Sequence, residues 1–108
     1  MRIISGKLKG RRLKAPKNLP VRPTTDMAKE GLFNVLNNTY YFDSIDVIDL
    51  FSGTGNISYE FASRGTKNIY AIDANHNCIR YIYNTAKELD LNITSYKSDV
   101  YKFLEKTT

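Results

Sequence analysis

Between residues 45 and 104 the chain alternates short β-branched runs with amphipathic helical stretches, and few architectures accept that rhythm. Residues 45–50 read as a strand that closes on Asp49. A glycine turn follows, then a helix carrying Ile57, Phe61 and Ala62, with Gly65 as its C′ residue. Residues 69–72 read as a second strand, with Asp73 just behind it. The next helix sets Ile79, Ile82, Ala86 and Leu89 on one face. A third strand near residues 93–97 leads through Ser98, Asp99 and Val100 into a short helix with Tyr101 and Leu104. Strand–helix alternation at this period predicts an α/β fold, a parallel sheet joined by right-handed crossovers.

Upstream the pattern changes. Residues 1–15 read as a short hairpin, with Ile3, Ile4, Leu8 and Leu13 interleaved with cations and with turns at Gly6 and Gly10. Two strands this short are marginal alone and must lean on another element. Pro16, Pro20 and Pro23 mark an extended linker, because each proline biases its predecessor away from helix. We therefore divide the chain into a basic hairpin and linker over 1–23 and an α/β part over 24–108. A helix is expected after Thr24-Thr25, with Asp26 at its positive end and an apolar stripe of Ala28, Leu32, Val35 and Leu36, ending near Asn37-Asn38.

The acidic residues carry the chemistry. Asp49, Asp73 and Asp99 recur at one structural place, the C-terminal end of a strand, and in open α/β sheets that edge is where ligands bind. Asp49 is followed by Phe51, Ser52, Gly53, Thr54 and Gly55, whose glycines permit unusual dihedrals and close approach of a ligand to the backbone. Asp73 lies twenty residues after Gly53, the span expected of a carboxylate that accepts from ribose hydroxyls. Each piece alone is weak, since a strand-terminal Asp can simply cap a helix. Three in order outline a site for an adenosine-bearing cofactor. A dinucleotide fingerprint wants a third glycine where this chain has Ser58. The pattern D-x-x-x-G-x-G instead resembles the opening motifs of Rossmann-like methyltransferases.

Length and composition bound the rest. With 108 residues there is room for one small domain. No apolar run approaches the roughly 20 residues of a membrane span, so no membrane partner is expected. Cys78 and His76 are each the sole residue of their type, which argues against a disulfide framework and against a metal site. A cytoplasmic, metal-free protein is the simplest reading. His76 is expected to face solvent or cap a helix, and Cys78 to be a semi-buried apolar residue. Tyr40, Tyr41 and Phe42 are expected to pack where the first helix turns into the first strand. Residues 1–30 hold nine basic and two acidic groups, a net of +7, whereas the remainder holds seven and nine, a net of −2. A cationic block of this kind suggests attraction to phosphate. Its members are Arg2, Lys7, Lys9, Arg11, Arg12, Lys14, Lys17, Arg22 and Lys29.

The N-terminal half narrows the family. Met1-Arg2-Ile3-Ile4-Ser5-Gly6-Lys7, Arg22-Pro23-Thr24-Thr25-Asp26, Leu32-Phe33-Asn34, the Asp49 to Gly55 turn and Ser63-Arg64-Gly65 together resemble the bacterial 16S (small-subunit) ribosomal RNA guanine-N2 methyltransferase family, over essentially the whole chain. Met27 departs from the family's usual arginine and Gly31 from its frequent alanine. The resemblance implies S-adenosyl-L-methionine as cofactor. Gly53 and Gly55 would admit its methionine part, Asp49 would orient its amine, and Asp73 would hold the ribose. Asp99 and the Val100 N–H would meet the adenine, while Phe51, Ser52, Thr54 and Ala74 would line the pocket. Arg2, Lys7, Lys9, Arg11, Arg12, Lys14 and Arg22 would grip RNA phosphates of small-subunit rRNA or of an assembling 30S particle.

Members of that family also carry an Asn/Asp-Pro-Pro-Tyr/Phe acceptor segment after a fourth strand. No proline follows Pro23 here, so any such segment would lie beyond Thr108 and no catalytic residue is assigned within the chain. The sheet is then expected to be incomplete, with Val47 and Ile48 on an open apolar edge. The chain is expected to be a fragment that needs a C-terminal half or another chain, and to be inactive by itself. Alternatives from these residues are a DNA amino-group methyltransferase of the N6-adenine type and a non-catalytic nucleic-acid- or donor-binding module. Ser58 disfavours a nicotinamide oxidoreductase.

Overall fold

Thr25 opens the first helix in an extended conformation, its Oγ1 accepting the Ala28 N–H at 3.2 Å. The computed structural model describes residues 1–14, 19 and 24–107. The linker prolines Pro16, Pro20 and Pro23, together with Lys17 and Arg22, lie outside the described residues. Helix α1 runs Asp26–Asn37 and ends where expected, but it buries a different face. Phe33 and Lys29 are fully buried and Leu36 is partly so, while Ala28, Leu32 and Val35 are exposed. The expected stripe rests on apolar residues alone. The buried stripe instead follows Phe33, whose ring anchors the helix and carries the residue four positions earlier inward with it.

After a 3-10 turn at Phe42–Ser44, strands and helices alternate as the rhythm predicts: β1 Asp46–Asp49, α2 Asn56–Ser63, β2 Asn68–Asp73, α3 His76–Glu88, β3 Ile93–Lys97 and α4 Val100–Thr107. The strands form one parallel sheet in the order β1-β2-β3, with Val47 opposite Ile69 and Ile72 opposite Tyr96. Among the described residues β1 is therefore an edge. Ile48 is 54% exposed there, whereas Val47 packs on the core.

Three phenylalanines make the centre of that core. Phe33, Phe42 and Phe61 hold ring centroids 4.7 to 5.9 Å apart in tilted and edge-on arrangements, the geometry in which aromatic pairs gain most. Of the three aromatics expected to pack at this corner, Phe42 does so, while Tyr40 and Tyr41 stay exposed. Their hydroxyls keep water at the surface, where the apolar Phe42 has nothing to bond. Cys78 is more buried than expected, at 0% exposure, and burial raises its thiol pKa, with Asp73 adding to the effect. His76 is exposed and opens α3; the cap is its neighbour Asn75, whose Oδ1 accepts the Cys78 N–H at 3.0 Å.

The N-terminal segment turns back on itself but forms only one antiparallel bridge, Arg2 with Arg12, among the described residues. The Ile3 and Leu13 N–H groups donate across the segment to the Arg11 and Met1 carbonyls, and Gly10 to that of Ile3, but the ladder goes no further because the donors of Ile4, Ser5, Lys7 and Leu8 are engaged on α2. The Ile4 and Ser5 N–H groups go to the Glu60 carboxylate, at 2.9 and 3.1 Å. Those of Lys7 and Leu8 go to Ser63. Ile3, 1% exposed, joins the same core as the phenylalanines. Gly6 is required where this segment meets α2, because at φ +89° a Cβ would come within 2.0 Å of the Ser63 carbonyl oxygen.

Candidate functional site

The turn after β1 is shaped by its own backbone. The Gly55 N–H returns to the Ser52 carbonyl at 2.8 Å, and both the N–H and hydroxyl of Ser52 donate to the Ile72 carbonyl at the end of β2. Gly53 and Gly55 sit at φ +54° and +88°, conformations that side-chain-bearing residues adopt only with strain. Gly55 has a second constraint, since a Cβ there would meet the Tyr59 ring at 2.7 Å. The sequence thus yields a rigid loop whose amides lie at the C-terminal edge of the sheet, backed by a buried tyrosine. Burial raises the hydroxyl pKa of that tyrosine far above its ordinary range.

All three predicted carboxylates stand at this edge, each with a different set of partners. Asp49 ends β1, and its Oδ2 accepts the hydroxyl of Ser58, a fully buried residue, at 2.8 Å. Burial raises the Asp49 pKa; the Ser58 hydrogen bond opposes the rise and nearby Asp73 adds to it. A carboxylate in this condition is stabilised by an arriving cation. Asp73 ends β2. Its Oδ2 accepts the Gly53 N–H and its Oδ1 the Asn75 N–H, both at 2.9 Å, so it ties the glycine loop to the start of α3. Each oxygen retains a lone pair for a hydroxyl donor. Asp99 follows β3, and its Oδ1 caps α4 by accepting the N–H groups of Tyr101 and Lys102. Phe51 is 79% exposed and Ala74 is also exposed, whereas Ser52 and Thr54 are buried. The Thr54 hydroxyl lies 3.3 Å from the sulfur of Met1, which brings the chain's first residue against the glycine loop.

Sequence reasoning missed what lies beneath the loop. Lys29 and Glu60, both 0% exposed, form an ion pair at 3.2 Å. The Lys29 Nζ also donates to the Arg2 carbonyl at 2.6 Å and to Oδ1 of Asn56, the residue after Gly55, at 2.8 Å. Asn56 in turn donates to the Thr24 carbonyl. Glu60 additionally accepts from Arg64 Nε at 2.8 Å. Burial pulls the Lys29 pKa down although Glu60 supports its charge. For Glu60 burial works upward, but the Ile4 N–H, Arg64 and Lys29 together outweigh it and hold the carboxyl below its usual range. One signal was available: Lys29 lies one helical turn before Phe33 and therefore shares its face.

The predicted basic residues Arg2, Lys7, Lys9, Arg11, Arg12 and Lys14 are all exposed. Arg2 approaches Asp26 at 3.9 Å and Arg11 approaches Glu88 at 4.0 Å, loose surface pairs of the kind that contribute little. Arg22, assigned with them, lies outside the described residues.

The chain has recognisable relatives among known proteins. The chain is 38% identical over 106 residues to "Putative rRNA methyltransferase YlbH" of Bacillus subtilis, covering 96% of this chain and 56% of that protein. It is 32% identical to the ribosomal RNA small subunit methyltransferase D of Buchnera aphidicola subsp. Acyrthosiphon pisum, covering 97% of this chain and 54% of the relative. The chain spans about half the length of these curated relatives. Among solved structures, the "Putative methyltransferase yhhF from Escherichia coli" superposes with a TM-score of 0.84 at 28% identity, over 96% of this chain and 55% of that one. A SAM-dependent methyltransferase from Aquifex aeolicus superposes at 0.53 and 26% identity, over 62% of this chain and 37% of its own. The three parallel strands and their helices have the α/β fold of these methyltransferases. The family described as Conserved hypothetical protein 95 matches residues 1–108 throughout, and the chain belongs to that family.

Proposed function

We propose that this chain carries the S-adenosyl-L-methionine-binding half of a methyltransferase that modifies the exocyclic N2 of a guanine in small-subunit ribosomal RNA. The observation that carries the reading is the convergence of Asp49, Asp73 and Asp99 on one sheet edge around a loop with two positive-φ glycines. S-adenosyl-L-methionine, when bound, supplies an electrophilic methyl group on its sulfonium. The rest is positioning by this chain's own residues. Asp49, held by Ser58 and raised in pKa by burial, receives the amine of the methionine part. Gly53 and Gly55 hold the loop in the positive-φ turn that presents its backbone to the methionine part, with Phe51, Ser52, Thr54 and Ala74 around it. Asp73 accepts from the ribose hydroxyls while its bond to Gly53 keeps the loop in register. Asp99, with Oδ2 outside the cap, accepts from the adenine amine, and the Val100 N–H meets a ring nitrogen.

The RNA target is supported by the exposed cations Arg2, Lys7, Lys9, Arg11, Arg12 and Lys14 of the N-terminal segment and by relatives named as rRNA methyltransferases. A ribosomal RNA substrate, free or in an assembling 30S particle, places the work in the cytoplasm. Guanine N2 is a poor nucleophile because its lone pair is delocalised into the ring. Transfer therefore needs the Asn/Asp-Pro-Pro-Tyr/Phe acceptor, contributed by a further segment or another chain, which would also cover β1 where Ile48 stands exposed. By itself this chain is expected to bind the donor and not to transfer the methyl group. Calorimetric titration with S-adenosylhomocysteine tests the donor site. Asp73→Ala should weaken binding at least tenfold, and an unchanged affinity would remove Asp73 from the ribose role.

A further inference from the structure

A groove of about 460 Å³ runs between the N-terminal segment and the open side of α1, with Arg2, Lys9, Glu30, Asn34, Asn37 and Arg64 along its walls. We propose that this groove, which runs from Arg2 to the far end of α2 at Arg64, seats the sugar–phosphate backbone of single-stranded RNA, as a binding site distinct from the loop carboxylates. The proposal rests on the RNA reading above and adds the place where the strand lies.

Arg64 is the first argument. Its side chain is 11% exposed, and its guanidinium carbon stands 4.7 Å from the Phe33 ring centre and 5.7 Å from that of Phe42. Only its Nε is engaged, with Glu60; the two terminal nitrogens make no protein hydrogen bond among the described residues. A guanidinium clamped on one side and lining a groove on the other keeps a fork of donors oriented for an anionic oxygen.

Charge is the second. Arg2, Lys9 and Arg64 face a single carboxylate, Glu30. Beneath them the buried Lys29 shares Glu60 with Arg64, and Asp26 pairs loosely with Arg2, so that four cations stand against three carboxylates and one net positive charge remains. Asn34, Asn37 and Glu30 add amide and carboxylate groups that can meet ribose hydroxyls and base edges. A simple inorganic anion would use none of these, whereas a ribonucleotide strand uses all of them.

Location is the third. The carbonyl of Arg2 accepts from Lys29, and Lys29 donates to Asn56 directly behind Gly55. Two successive hydrogen bonds through buried groups thus tie the groove wall to the glycine loop. Phosphates held here would set the register of the strand against the donor without any reading of its sequence.

The test is anisotropy titration of the full chain with a fluorescein-labelled 20-nucleotide single-stranded RNA, across a salt series. Lys9→Glu combined with Asn34→Asp, both at exposed positions, should weaken binding at least tenfold. The slope of log affinity against log salt should become shallower by about 0.7 for each phosphate that the variant no longer neutralises. Lys87→Glu combined with Asn84→Asp makes the same charge change on exposed positions of α3 and should weaken binding less than threefold. Arg64→Lys keeps the charge but loses the fork, and should weaken binding at least threefold. S-adenosylhomocysteine titration of every variant reports that the fold is intact. Equal losses from the groove and α3 pairs would overturn the proposal, because net charge alone would then explain the binding. Unchanged RNA affinity in the groove pair would overturn it while leaving the RNA reading in place. A wild-type chain that binds the donor analogue but no RNA would overturn both and leave the donor site standing.

Discussion

Replacing Glu60 with glutamine removes one charge from the centre of the molecule and changes almost nothing in shape. The carboxylate accepts from Ile4, Ser5 and Arg64 and faces Lys29 at 3.2 Å, with no solvent access. An amide offers one acceptor oxygen where two were used, so at least one donor meets an NH2 group instead. Lys29 then remains buried beside a neutral partner. Breaking a buried ion pair from one side costs about 3–5 kcal/mol, and an orphaned buried N–H costs about 1–3 kcal/mol. The two losses overlap, so roughly 4 kcal/mol is a fair expectation for Glu60→Gln. In urea, with a slope of about 1–3 kcal/mol/M, the unfolding midpoint followed by circular dichroism should fall by roughly 1.3–4 M. Lys29→Met should cost a similar amount, and the double variant clearly less than the sum, because each single change leaves the other group stranded. The charge also predicts a pH signature. The Glu60 carboxyl is held below its ordinary range in the folded protein, so its stabilisation is present above the unfolded value of about 4.3 and is lost as pH falls through the lower folded value. The stability difference between wild type and Glu60→Gln should therefore shrink in acid. A loss below about 1 kcal/mol at neutral pH, or simple additivity in the double variant, would refute the reasoning.

Gly55→Ala should destabilise by several kcal/mol and abolish S-adenosylhomocysteine binding, because the new methyl meets Tyr59 at 2.7 Å in a backbone conformation already strained for alanine. Thermal unfolding and calorimetry read the two effects, and retained binding would show that the loop can relax. Gly31→Ala should act in the opposite sense, adding up to about 1 kcal/mol in the same unfolding assay, since a Cβ at this exposed helical position meets nothing within 4 Å. Donor-analogue affinity should fall as pH drops through the Asp49 pKa, which burial sets above its ordinary value, because the ligand amine needs the ionised carboxylate. Asp49→Asn should flatten that profile, and parallel profiles for the two proteins would remove Asp49 from amine recognition.

The order of strands and helices was legible because it depends on local pattern alone. β-Branched runs, a Gly65 at φ +111° behind α2 and a Thr25 cap before α1 each declare themselves in a few residues. The place of the carboxylates was legible for the same reason, since a residue that ends a parallel strand must stand at the sheet edge. What each carboxylate touches was not legible. Ser58 stands in the sequence only as a missing glycine, yet its hydroxyl is what holds Asp49. The α1 stripe differs from expectation because apolar spacing does not say which face meets the core. Lys29 enters the interior only because Glu60 waits there from a helix some thirty residues later. Charged residues on an amphipathic helix are ordinarily solvated, so a buried pair cannot be recognised from either partner alone. The N-terminal hairpin fell short of a ladder for a related reason: its backbone donors found partners on α2 that no local pattern announces.

Those bonds between Glu60 and the backbone of Ile4 and Ser5 join residues 56 and 55 positions apart. Such a closure cannot form early in folding, since the loop it encloses must already be organised before it is rewarded. Ile4 and Ser5 can therefore dock only once α2 exists to receive them. Once docked, their amides should exchange hydrogen only as slowly as α2 itself opens, so that this cationic segment is the last to dock and not the first to fray.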